Sequence, residues 1–230
     1  MAALLATNFH LFGAAHFIIL AAVIVLAAAL AAVQRRFLKG SSRLRIALAV
    51  FLLADAVAWY SYLAAAGSRI FPGQLPLELC DVTFYLIVFV LFTLNRGVFD
   101  VAYYWALAGS TMALLTPNLW ERFPSFPTVQ FFIAHGLVVS VALYLVWSRQ
   151  IRPQRGSVVR AMIALNLLAL FDGAFDAVFQ TDYMYLRAKP ANVSLLSLLG
   201  PWPWYVLAAE PVALALFLLL YWPFWRRRQS

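Results

Sequence analysis

Residues 13–33 read GAAHFIILAAVIVLAAALAAV, residues 34–45 read QRRFLKGSSRLR, and residues 46–66 read IALAVFLLADAVAWYSYLAAA. An α-helix needs about 20 mostly apolar residues to cross a hydrocarbon core of ~30 Å, and both flanking runs have that length. Lipid offers the backbone no hydrogen-bond partners, so only helices and closed barrels span it. The runs are too long and too little alternating for barrel strands. A helix, a basic turn and a second helix follow directly from these residues.

The same reading extends along the chain. Further apolar runs cover Pro76–Leu94, Val98–Leu115, Val129–Trp147, Val158–Phe179 and Trp204–Trp222. Turn and breaker signals separate them, among them Phe71-Pro72-Gly73, Asn95-Arg96-Gly97, Thr116-Pro117-Asn118 and Gly200-Pro201. The sequence predicts an all-α polytopic membrane protein of seven transmembrane helices, with residues 1–230 forming a single domain. Composition agrees: 65% of residues are hydrophobic and 11% charged, where a soluble domain has about 25% charged.

The net charge of +8 brings nucleic acid to mind, but its distribution excludes that partner. Arg35, Arg36, Lys39, Arg43 and Arg45 follow helix 1, and Arg96 follows helix 3. Arg149, Arg152, Arg155 and Arg160 follow helix 5, and Arg226, Arg227 and Arg228 end the sequence. These 13 of 17 basic residues fall on one side of the seven-helix arrangement, the signature of cytoplasmic loops. The N-terminus is therefore expected outside and the C-terminus in the cytoplasm, in a cell membrane, with membrane lipids as partners. A bacterial inner membrane is the expected location. The apolar first run has no basic segment before it and two arginines after it, as a retained helix does. With one cysteine, Cys80, neither an intrachain disulfide nor a cysteine metal cluster can form. Composition sets no oligomeric state. The apolar stretch 193–199 is too short to span, and either rests at the interface or covers a cavity.

Ionisable groups inside membrane helices are costly and face the bundle interior. Asp55 costs about 2.5–3.5 kcal/mol at a helix centre, while the Leu, Ile, Phe and Val residues of helix 2 return on the order of 2.4–4.8 kcal/mol. It needs an internal partner or water. The remaining polar residues share the outer half: His16 on helix 1; Glu78, Cys80 and Asp81 opening helix 3; Asn118 closing helix 4; Gln130 and His135 on helix 5; Asp172 and Asp176 one turn apart on helix 6. The cytoplasmic half is expected to hold Asn166 and little else. An outward-opening polar cavity follows. Asp172 and Asp176 alternatively pair with Arg187 or Lys189 as a structural lock.

A thiol becomes a nucleophile when a base takes its proton and a third group orients the base. Cys80, His135 and Asp172 supply that set, with Asp81 or Asp176 as alternative third members. An apolar cavity at leaflet depth is where a lipid ester lies, and thiolate attack there gives an acyl-thioester.

Several pieces around these residues carry a resemblance: Phe9-His10-Leu11-Phe12-Gly13 with His16, Leu75-Pro76-Leu77-Glu78-Leu79-Cys80-Asp81, Leu115-Thr116-Pro117-Asn118-Leu119, Gln130-Phe131-Phe132 with His135, Asp182-Tyr183-Met184-Tyr185-Leu186 with Lys189-Pro190, and Gly200-Pro201-Trp202-Pro203-Trp204-Tyr205. The chain resembles YwaF-type bacterial integral membrane proteins, whose eukaryotic relatives include an acyltransferase remodelling ether phospholipids through a cysteine. The resemblance implies Cys80 as nucleophile and His135 as base. Some members have His where this chain has Glu78.

Two functions stay open: a phospholipid acyltransferase or acyl hydrolase working through Cys80 and His135, and a non-catalytic binding protein or transporter for a lipid or small molecule. Residues expected to contact the ligand are His16, Asp55, Glu78, Asp81, Asn118, Gln130, Asp176 and Lys189. No cofactor and no metal is expected. A retinal protein needs a helix 7 lysine, and the only lysines, Lys39 and Lys189, lie in loops. Zinc hydrolases with histidines on helix 7 are set aside likewise, although His10, His16 and His135 with an Asp have zinc-ligand chemistry.

Overall fold

A computed structural model describes residues 9–119, 121–190 and 194–225. The basic residues Arg226, Arg227 and Arg228, and Val193 of the 193–199 stretch, lie outside the described residues. Seven helices are present among the described residues: α1 (Ala14–Arg36), α2 (Arg43–Ala65), α3 (Leu79–Thr93), α4 (Arg96–Leu115), α5 (Phe126–Trp147), α6 (Ser157–Phe179) and α7 (Trp204–Trp225). No β-strand occurs among the described residues. Two 3₁₀ turns, Tyr183–Tyr185 and Leu195–Leu198, lie in the α6–α7 connection.

Local chemistry sets the boundaries. Asn95 caps α4 by accepting the Val98 N–H at 3.0 Å, which satisfies a donor that the first helical turn leaves free. Leu94, in the left-handed conformation at φ 50°, stops α3 just before it. Ser125 and Thr128 form a capping box at the start of α5, with Pro127 in the first turn, where its missing N–H costs nothing. Arginines extend α1, α2 and α4 beyond their apolar runs, because long basic side chains snorkel out of the hydrocarbon.

Side-chain bonds show that successive helices run in opposite directions. Tyr144 on α5 donates to Gln34 on α1 at 3.0 Å, Arg45 on α2 donates to the Leu91 carbonyl of α3 at 2.7 Å, and the hydroxyls of Tyr104 on α4 and Ser157 on α6 lie 2.7 Å apart. One end of the bundle, the basic end, therefore holds the turns after α1, α3 and α5.

Six helices are long and apolar enough to cross a membrane. The seventh, α3, has 15 residues and rises about 22 Å, less than a hydrocarbon core. It packs against α2, α4 and α5 and buries Phe84, Ile87, Val88, Val90 and Leu91, so protein, more than lipid, surrounds it. About half of α4 and of α5 is buried, against about a fifth or less of α1, α2, α6 and α7. The centre is thus α3, α4 and α5, with α1 and α2 flanking α5, and α6 and α7 flanking α4. Within α4 the segment Trp105–Ser110 is a π-helical turn.

The basic half is more polar than its sequence suggests. Asp100, 1% exposed, accepts the Gln154 N–H at 2.8 Å and pairs with Arg160. Gln34 donates to the carbonyls of Leu38 and Ser41, and Ser140 to that of Val23. The expectation of Asn166 and little else there is corrected: short polar side chains hidden in apolar runs find backbone carbonyls as partners. Nearly all these groups are satisfied.

Candidate functional site

The opposite end of the bundle is covered by the α6–α7 connection. Asp176, fully buried near the end of α6, accepts the Thr181 hydroxyl at 2.6 Å and the Tyr183 N–H at 3.0 Å through Oδ1. This turns the chain back over the helix ends. Tyr183 O–H then donates to the Pro72 carbonyl at 2.7 Å and accepts the Leu75 N–H at 3.0 Å, fastening the α2–α3 connection. Asn118 Nδ2 donates to the Tyr185 hydroxyl at 3.2 Å, and Tyr205 O–H to the Tyr185 carbonyl. Burial lifts both the Tyr183 and the Tyr185 phenol above the ordinary value, so both remain proton donors. Met184 and Tyr185 have φ of 55° and 56°, a left-handed conformation that costs residues other than glycine energy. The surrounding bonds hold them there.

That strained turn aims the Met184 N–H at Glu78 Oε2, 2.9 Å away. Asp81, Asp172 and Asp182 are within electrostatic reach of Glu78, and Glu78 and Asp81 within that of Cys80. Tyr185 feels Glu78 and Cys80 as well. The structure thus gathers Glu78, Cys80, Asp81, Asn118, Asp172 and Asp176 under one cap. Asp172 is fully buried, and neither of its oxygens has a hydrogen-bond partner among the described residues. Asp176 Oδ2 and the Ser110 hydroxyl on α4 are also unpartnered and buried. A buried group without a partner loses its hydration with no return.

Four other expected residues lie in different settings. His16 is fully buried; its Nδ1 accepts the Phe12 N–H at 2.9 Å, and Nε2–H donates to the Leu114 carbonyl at 2.7 Å. Nε2 joins α1 to α4, Nδ1 holds the turn that leads into α1, and Phe9 and Phe12 pack on the ring. Asp55 finds the internal partner it needs, Gln130 Nε2 at 2.9 Å. These two expected ligand contacts bind one another and tie α2 to α5. His135 Nδ1 is 2.8 Å from the Phe131 carbonyl of its own helix. A carbonyl only accepts, so Nδ1 bears the proton and, in the neutral ring, Nε2 is a free acceptor. No hydrogen bond joins Cys80 to His135 among the described residues.

The basic side chains do not lock the acids. Arg187 donates to the backbone carbonyls of Asp176 and Thr181 and to Gln180, not to a carboxylate. Lys189 Nζ lies 5.2 Å over the Tyr205 ring, a cation–π contact.

Beside this cluster is an apolar cavity of about 250 Å³. The α4 π turn forms one wall with Trp105 and Gly109, α7 another, and the cap a third with Met184, Leu195 and Leu196. The 193–199 stretch therefore covers a cavity through its described residues. Leu79, the neighbour of Cys80, lies in the wall. So does Glu210 on α7, which accepts from Asn166 Nδ2 at 3.0 Å. Glu210 is not among the residues expected from the sequence; a carboxylate inside the last apolar run, just before Pro211, is the signal that marks it. Tyr183 and Tyr185 sit in a loop motif whose chemistry needs the fold to be visible. No group of three or more histidines, cysteines or carboxylates with metal-holding geometry occurs among the described residues.

Seven alternating helices, six of them long enough to span, with carboxylates buried at one end, define a polytopic α-helical membrane protein. The model of the TMEM164 family matches residues 11–221, and the chain belongs to that family. The match names this family where the sequence motifs resembled YwaF-type proteins. No curated protein and no solved structure matches the chain.

Proposed function

We propose that the chain crosses a cell membrane seven times, basic end in the cytoplasm, and transfers acyl groups between membrane lipids through Cys80. The observation that carries this reading is the apolar cavity, whose wall includes Leu79 beside Cys80. An acyl chain in that space brings its ester towards the thiol. Cys80 Sγ attacks the ester carbonyl as its proton passes to His135 Nε2. The carbon–oxygen bond to the glycerol breaks, and the departing oxygen takes the proton. The hydroxyl of a second lipid then attacks the thioester and regenerates the thiol; water in its place makes the reaction a hydrolysis. Closing the Cys80–His135 gap requires a movement or a bridging water. The cap, held by strained residues, is the segment whose rearrangement supplies it.

Reconstituted protein is expected to move a labelled acyl chain from a phospholipid to a lysophospholipid, and Cys80→Ala to lose that transfer while keeping its thermal stability. Unimpaired transfer by Cys80→Ala overturns the reading. Topology is tested in a Cys80→Ala background with single cysteines at Ser42 and Arg69. Only Arg69→Cys should react with an impermeant maleimide on intact cells.

A second reading, a non-catalytic binding protein, is favoured by Asp172, whose unpartnered oxygens suit a polar ligand. Ligand-dependent thermal stabilisation that survives alkylation of Cys80, without acyl transfer, would establish it instead.

A further inference from the structure

The apolar cavity has one carboxyl-bearing side chain in its wall, Glu210. Asn166 Nδ2 donates to Glu210 Oε2 and to the Met162 carbonyl, each at 3.0 Å, so both amide hydrogens are used. Two acceptors are left without donors among the described residues: Glu210 Oε1 and Asn166 Oδ1. Asn166 is exposed, on a stripe of α6 otherwise formed by Val159, Ile163, Leu167 and Leu170. Polar groups placed so within a spanning bundle are costly, and here they offer acceptors only.

The chemistry of an occupant follows. Its body is alkyl, because most of the wall is apolar and the other polar groups in it are already bonded, the Tyr205 hydroxyl to the Tyr185 carbonyl, the Tyr185 hydroxyl to Asn118 and the Trp105 indole N–H to the Ala161 carbonyl. At about 250 Å³ the space falls below the usual ~300–1,000 Å³ of ligand pockets, which suits one chain and not two. Its polar end must donate a hydrogen bond. A carboxylate end would meet Glu210 with like charge.

We propose that Glu210, in the cavity wall, and Asn166, bonded to it from the exposed face of α6, form a polar subsite at the edge of this cavity and hold the hydroxyl of a single-chain lipid alcohol of the monoacylglycerol type. The inference rests on the cavity being a lipid site, as proposed above, and not on the chemistry of Cys80.

Trp105 in the cavity wall offers a fluorescence readout for titrating the purified full chain with a monoacylglycerol, the matched fatty acid and the matched alkylamine. The monoacylglycerol is expected to bind most tightly. Hydrogen bonds to a charged group are worth about 1.5–3 kcal/mol, so Glu210→Leu should weaken binding roughly 10- to 100-fold. Asn166→Leu, which leaves the carboxylate in place, should weaken it less, and is the fallback if Glu210→Leu fails to fold. Binding that is unchanged in both subsite variants overturns this inference alone, as does tighter binding of the alkylamine, which would make Glu210 a cation site. Absence of binding by any of the three probes overturns the lipid-site reading as well.

Discussion

Replacing Asp172 by Leu is expected to stabilise the protein, whereas the same change one turn later, at Asp176, is expected to destabilise it. Leu carries two methyl carbons where Asp carries two carboxylate oxygens, so both replacements keep the branching of the side chain. Both residues are fully buried on the same face of α6. Their bonding differs. Asp172 has no hydrogen-bond partner at either oxygen among the described residues, and removing a buried unsatisfied group relieves about 1–3 kcal/mol. Asp176 Oδ1 accepts from Thr181 and Tyr183, so Asp176→Leu strands two donors at a loss of similar size and loosens the cap. For a chain of this length 1 kcal/mol shifts Tm by roughly 2–4 °C, so Asp172→Leu should melt about 2–12 °C higher and Asp176→Leu lower by a similar amount. Tryptophan fluorescence melts of the detergent-purified variants, run side by side, measure both. If Asp172 serves the ligand, the stabilised variant also loses binding and acyl transfer, since active sites hold strain at the expense of stability. A melting temperature for Asp172→Leu as far below the unaltered protein as that of Asp176→Leu would refute the argument, because Asp172 would then have a stabilising partner.

Two further outcomes test the scaffold. Gln130→Leu removes the donor from Asp55 and should cost about 1.5–3 kcal/mol, while the double variant with Asp55→Leu should recover most of the loss; equal melts for Gln130→Leu and the unaltered protein would show the bond is idle. Arg160→Leu leaves Asp100 buried with one backbone donor and should destabilise by on the order of 3 kcal/mol, near the low end because the Arg160 side chain is 44% exposed; recovery of most of the loss in the double variant with Asp100→Asn would confirm the cause, and no recovery would refute it.

The helices were legible in the sequence because lipid imposes a length and a polarity on every span. Boundaries moved by at most about three residues, chiefly where arginines carry a helix into the headgroup region. The partner of Asp55 was legible as a need and not as a name: insertion energetics demands a donor, but only packing selects Gln130. His16 illustrates the opposite case, since a histidine near a helix end looks like a ligand until both nitrogens are found bonded to backbone. The cap was hidden because its order comes from left-handed residues Met184 and Tyr185, whose types do not announce that conformation. Glu210 and Asp100 were visible as letters, yet their roles depend on Asn166 and Arg160, far away in the chain.

The wide turn of α4 at Trp105–Ser110 has a consequence for angular phase. A π turn takes in one residue more than an α turn, and at 3.6 residues per turn one residue corresponds to about 100° of rotation. The half that presents Tyr104 to Ser157 and the half that presents the Leu114 carbonyl to His16 are therefore out of step by roughly that angle. An uninterrupted α-helix with the same residues would turn one of these two contacts aside. The added residue lets a single rod serve a dense interface at one end and frame an empty space at the other.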